Sequence, residues 1–72
     1  MTPKIAQVIT DLVQYGFSIK INSITDNDVL FDCKDGNTSY TVNKFRATCE
    51  THSVKLDIWS DADRVFGAFY QN

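Results

Sequence analysis

Ile5, Val8, Ile9, Leu12 and Val13 fall at i, i+3, i+4, i+7 and i+8. That spacing gathers apolar side chains on one face of an α-helix. Gln7, Thr10, Asp11 and Gln14 take the opposite side. Thr2-Pro3 supplies an N-cap followed by the first helical position. Gly16 suits a left-handed C-cap, and Phe17 can fold back on the last turn. The pattern predicts a helix over residues 3–15.

The period then shortens to two. Phe17 to Ile24 alternates, with Phe17, Ile19 and Ile21 directed to a core. Thr25-Asp26-Asn27-Asp28 reads as a polar turn whose side chains bond the local backbone. Residues 29–34 form a second strand with Val29, Phe31 and Cys33 inward. Asp35-Gly36-Asn37 is the strongest hairpin signal in the chain. It leads into a third strand over residues 38–42, with Tyr40 and Val42 inward. Parity breaks there, because Phe45, Ala47 and Cys49 are odd-numbered. A bulged or bent long strand is the favoured reading of residues 43–49, with a short helical turn as the alternative. Thr51-His52-Ser53 is a turn, and residues 54–59 form a fourth strand with Val54, Leu56 and Ile58 inward. Ser60 or Asp61 caps a short last helix, in which Ala62, Val65, Phe66 and Phe69 share a face and Gly67 is a weak point.

The predicted order is αββββα. Short connections imply an antiparallel meander, and a four-stranded sheet with one apolar face needs a cover. The expected architecture is α+β and two-layered, with the N-terminal and the short C-terminal helix packed on one face of the sheet. At 72 residues, residues 1–72 make a single compact domain. A chain of this size buries only about 60 % of its unfolded surface. A deep cofactor cleft is excluded on size, and a hydrophobic content of 43 % excludes a disordered tail.

Net charge is -2, and the seven Lys and Arg residues are scattered without a run. General nucleic-acid binding needs a basic stripe, so it is disfavoured. No apolar run approaches the roughly 20 residues of a membrane span. The first helix carries only Lys4, too little basic charge for a membrane-surface helix. The start of the chain has no signal-peptide profile, which leaves a cytoplasmic address as the expectation. In a reducing compartment Cys33 and Cys49 are read as free, buried, small apolar residues.

Four groupings carry side chains capable of chemistry. Cys33, Cys49 and His52 lack the paired short spacings and the fourth ligand of a zinc site. Cys49 with His52, oriented by Asp57, lacks an oxyanion site and an accessible thiol. His52 alone reads as a solvated turn histidine. Asp26, Asp28, Asp32 and Asp35 are carboxylates of the kind hard cations take. The glycine and terminal glutamate of a calcium loop are missing, and turn chemistry accounts for Asp26 and Asp28. The expectation is no catalytic residue, no metal and no cofactor.

The far face of the sheet carries the functional expectation. Ser18, Lys20, Asn22, Asp32, Lys34, Ser39, Thr41, Lys55 and Asp57 make it polar, while Ile24, Leu30 and Trp59 interrupt it. Apolar surface rimmed by polar groups marks a contact site, and Trp is enriched at hot spots. The other reading tucks Trp59 under the C-terminal helix, paired with Tyr70 or Phe66.

In outline, a helix, a run of strands and a closing helix over about 70 residues resemble a double-stranded-RNA-binding domain. The last helix of that family opens with lysines, whereas here it opens Ser60-Asp61-Ala62-Asp63-Arg64, so the phosphate-gripping residues do not carry over. Size, acidity and a helix-then-hairpins layout also resemble small phage-encoded inhibitors, anti-CRISPR proteins among them. That resemblance implies a non-enzymatic module that presents one surface to one host protein, as an inhibitor or an adaptor. Trp59, Leu30 and Ile24 would make the contact. The acidic rim of Asp26, Asp28, Asp32 and Asp35 would steer it to a basic partner surface. The alternatives are a nucleic-acid-binding module and a small homo-oligomer that hides the Trp59 face, a homodimer being the simplest.

Overall fold

The computed structural model describes residues 1–72. Its elements are α1 (Pro3–Gln14), β1 (Ile19–Ile24), β2 (Asp28–Lys34), α2 (Thr38–Thr51), β3 (Lys55–Asp61) and β4 (Arg64–Tyr70). The class is α+β, with two helices and one four-stranded antiparallel sheet. The order is αββαββ, which corrects the expected αββββα at two places.

The first correction is α2. Residues 38–42, expected as a strand, and 43–49, expected as a bulged strand or a helical turn, form one continuous helix. Its buried residues are Thr41, Phe45, Thr48 and Cys49, at i, i+4, i+7 and i+8. The parity break was thus a helical period, diluted by threonines. Thr41 and Thr48 are tolerated inside because each hydroxyl donates to the carbonyl four residues back, Asn37 at 2.9 Å and Lys44 at 2.8 Å. Asn37 is the N-cap, its side chain accepting from the Tyr40 N–H at 3.2 Å, and Asp35 in turn accepts from the Asn37 N–H at 2.9 Å. Turn residues and cap residues are the same residues, so the supposed hairpin signal opens a helix instead. Tyr40, expected inward, is 54 % exposed.

The second correction is β4. Residues 60–63 close a hairpin, and 64–70 form a strand where a C-terminal helix was expected. Asp61 pairs with Arg64, leaving Ala62 and Asp63 as a two-residue loop, and Ala62 adopts the positive φ (53°) such a loop demands. Gly67 is fixed by close approach, since a Cβ there would lie 1.9 Å from the Asp57 carbonyl oxygen.

The sheet order is β1-β2-β4-β3, not a meander. β2 and β3 are both antiparallel to β4, so they run parallel to each other with β4 between them. The link from β2 through α2 to β3 is therefore a split β-α-β unit.

Both helices end in the same way. After α1, the Phe17 N–H donates to the Leu12 carbonyl (3.1 Å) and the Gly16 N–H to Val13 (3.0 Å), with Gly16 at φ 100°. After α2, the Val54 N–H donates to Cys49 (2.9 Å) and the Ser53 N–H to Glu50 (3.2 Å), with Ser53 at φ 57°. Both are Schellman motifs, one built on glycine and one on serine.

One cluster of 12 buried residues forms the core. Ile5, Val8 and Leu12 come from α1, Phe45 and Cys49 from α2, and Val29, Phe31, Cys33, Val65 and Phe69 from β2 and β4. The five strand residues lie on a single face, because Val29 pairs with Phe69 and Cys33 with Val65. Phe31 stacks on Phe69 with ring centroids 4.3 Å apart, and Phe45 lies 5.3 Å from Phe31. Phe17 meets Phe45 edge-on at 5.2 Å. Val13, the last residue of the predicted α1 stripe, is exposed.

Candidate functional site: the open sheet face

The opposite face is not buried. By register it carries Leu30 and Asp32 from β2, Phe66 and Ala68 from β4, and Asp57 and Trp59 from β3. Trp59 pairs directly with Phe66, and the two rings stack with centroids 6.3 Å apart and planes 21° from parallel. Leu30 pairs with Ala68, one register step away. Trp59, Leu30 and Phe66 are 58 %, 45 % and 38 % exposed. Together with Asn22 and Asp57 they line a shallow groove of about 440 Å³.

Trp59 thus satisfies part of each expectation: it pairs with Phe66, yet no helix covers it. Phe66 is the exposed aromatic of this face that the sequence pattern does not reveal. Its assignment to a helix placed it beside Ala62 and Val65, whereas a strand period puts it opposite them.

The remaining expected contact residues do not assemble into one patch. A β-bulge between Ile21 and Ser23 shifts the β1 register, so Ile24 pairs with Val29, a residue of the core face. Ile24 is exposed at the end of an edge strand but stands apart from Leu30 and Trp59. Asp26 sits in the β1–β2 turn, and Asp28 opens β2 opposite Tyr70, at the margin of the open face, where it accepts from the Thr25 hydroxyl at 2.6 Å. Asp35 lies beyond the other end of β2 and anchors the α2 entry loop. Asp32 is on the open face, in an ion pair with Arg64. That partner raises the Arg64 guanidinium above its ordinary value, first through the hydrogen bond and then through the charge. Ser39 and Thr41 leave the face altogether, since they belong to α2.

The possible chemical groupings come apart. Asp57 is on the open face, whereas Cys49 is in the core and His52 caps α2. Burial pushes the Cys49 thiol up to about 12, far from the thiolate a nucleophile needs. Burial also raises the Cys33 thiol, helped by the charges of Asp35 and Asp32. No group of three or more His, Cys, Asp or Glu side chains comes together in a way that could hold a metal ion. The partner of His52 is Asp11, whose carboxylate lies 2.6 Å from Nε2 and ties α1 to the end of α2. The hydrogen bond from His52, and then that from Gln7, hold the Asp11 carboxyl below its ordinary range.

No helix is long and apolar enough to cross a membrane. A comparison of the chain with known protein families and with curated proteins finds no match.

Proposed function

We propose that the chain is a non-enzymatic protein-interaction module whose contact surface is the open face of its sheet. The observation that carries this reading is the exposed Trp59–Phe66 stack with Leu30 beside it, on a face of a sheet whose other face holds the whole core. Exposed Trp on an apolar strip with charged neighbours is the composition of a binding hot spot. The separation of Cys49, His52 and Asp57 supports a binding role over a catalytic one. The class of protein this fits is the small inhibitor or adaptor that presents one surface to one partner.

Affinity capture tests the reading, with a lysate of the encoding cell or its host supplemented with an untagged copy of the chain. Trp59→Ala and Phe66→Ala are compared with Tyr40→Ala, an exposed aromatic on α2. A protein held by wild type and by Tyr40→Ala, but lost with both face variants, supports the proposal. Retention unchanged by the face variants overturns it. Recovery of nucleic acid alone overturns it too, in favour of base stacking on the aromatic pair.

A further inference from the structure

This inference rests on the open face being the contact surface, and it names the occupant. We infer that the open face docks a second copy of the same chain, sheet against sheet, about a two-fold axis running across the strands.

The charges at the two ends of the face carry the argument. At one end of the register stand Lys34 on β2, Arg64 on β4 and Asp61 on β3. At the other end stand Asp28 on β2, Tyr70 on β4 and Lys55 on β3. Each outer strand of this set has opposite charges at its two ends, and the sense reverses between β2 and β3. The apolar pairs lie between the ends, with Phe66 one row from Ala68 and Leu30. A two-fold axis between these rows exchanges the two ends of every strand. Lys34 then faces Asp28 of the second copy, and Asp61 faces Lys55. Arg64 faces the Tyr70 ring, Phe66 covers Ala68, and Asp57 and Asp32 face Trp59 and Leu30 of the second copy. An isologous interface requires a surface complementary to itself under such an operation. Aligned sheets cross at about 30°, which displaces residues some 10 Å from the axis by about 5 Å, within the reach of lysine side chains.

Arg64 is already held by Asp32 and Lys55 donates to Asn72, whereas Lys34 and Asp28 are more loosely engaged. Lys34 lies 3.8 Å from Asp63, and both side chains are more than half exposed. Asp28 bonds Thr25 through Oδ1 alone.

The area sets the strength. Four strands spaced about 4.8 Å and seven residues rising about 3.4 Å give a footprint of about 450 Å². A standard interface takes about 800 Å² from each partner. The dimer therefore belongs to the weak, transient class, with a dissociation constant in the micromolar range or above.

Sedimentation equilibrium over a wide concentration range, with circular dichroism to verify folding, decides the matter. Wild type is expected to associate reversibly. Lys34→Asp and Asp28→Lys each place two like-charge pairs across the axis and weaken association by about tenfold or more. Mixed in equal amounts, the two variants restore both pairs and recover wild-type association. A wild type that stays monomeric at about 1 mM overturns the inference while leaving the capture experiment to judge the broader reading. A dimer indifferent to the charge variants and to Trp59→Ala uses another surface and overturns this inference. Two weakened variants that fail to associate when mixed overturn the two-fold register.

Discussion

The two faces of the sheet share the same four strands and differ in what their side chains touch. On the core face, Phe31, Phe45 and Phe69 are buried and packed against one another within contact distance. On the open face, Trp59 and Phe66 stack on each other and on nothing else aromatic. Aromatic rings thus occupy two environments in one small domain. Together with Phe17, four rings are buried in the core, and two are left exposed on the open face. The burial of a ring, not its presence, decides whether its removal costs stability or binding.

The sharpest way to test that contrast is to truncate one ring from each face. Phe31→Ala removes the centre of the buried stack and should cost about 3–5 kcal/mol, most of the stability of a domain this small. Urea unfolding followed by circular dichroism measures it. Gly67→Ala attacks both faces together, because the new Cβ meets the Asp57 carbonyl and forces β3 away from β4. A loss of about 2–3 kcal/mol is expected, with amide exchange quickening first along β3. Ala62→Gly and Ser53→Gly relieve left-handed residues outside both faces, and each should gain about 1 kcal/mol. If either one destabilises, the conformation assigned to that turn is wrong. Trp59→Ala should shift stability by less than about 1 kcal/mol while abolishing capture. A large loss of stability there would erase the distinction between the faces.

The smallest effect concerns the helices. Asp11 is held below its ordinary range by His52 and Gln7, so the unfolded chain binds its proton more tightly than the folded one. The stabilisation from this pair is complete above the ordinary value of 3.8 and fades as pH falls through the lower folded value. Asp11→Asn should flatten that acid-side slope in a pH series of thermal melts.

The sequence was readable where local signals agreed and unreadable where two periods fitted the same residues. In α1 the apolar stripe, the Thr2-Pro3 start and the Gly16 stop all point one way. In α2 half of the buried stripe is threonine, a residue with strand preference, and its burial depends on hydroxyl bonds invisible in a hydropathy pattern. In β4, Val65, Phe66 and Phe69 fit a helix, whereas Val65, Gly67 and Phe69 fit a strand. The decisive fact is the 1.9 Å approach at Gly67, which is tertiary. The open face was recognised in outline through Trp59 and Leu30. A helical period hides Phe66 from that face, and a bulge between Ile21 and Ser23, which no composition rule reveals, turns Ile24 away from it.

The place of β4 in the sheet has a consequence for the order in which the molecule comes into being. It is made after every other strand, yet it lies between β2 and β3. Until residues 64–70 leave the ribosome, β3 has no strand to pair with and β2 has only β1. Helix α2 can form early, but the strands it joins stay unzipped. Closure of the sheet therefore waits for its last-made strand, and the Trp59–Phe66 pair forms only at that step. The exposed aromatic pair of the open face cannot form before β4 is made.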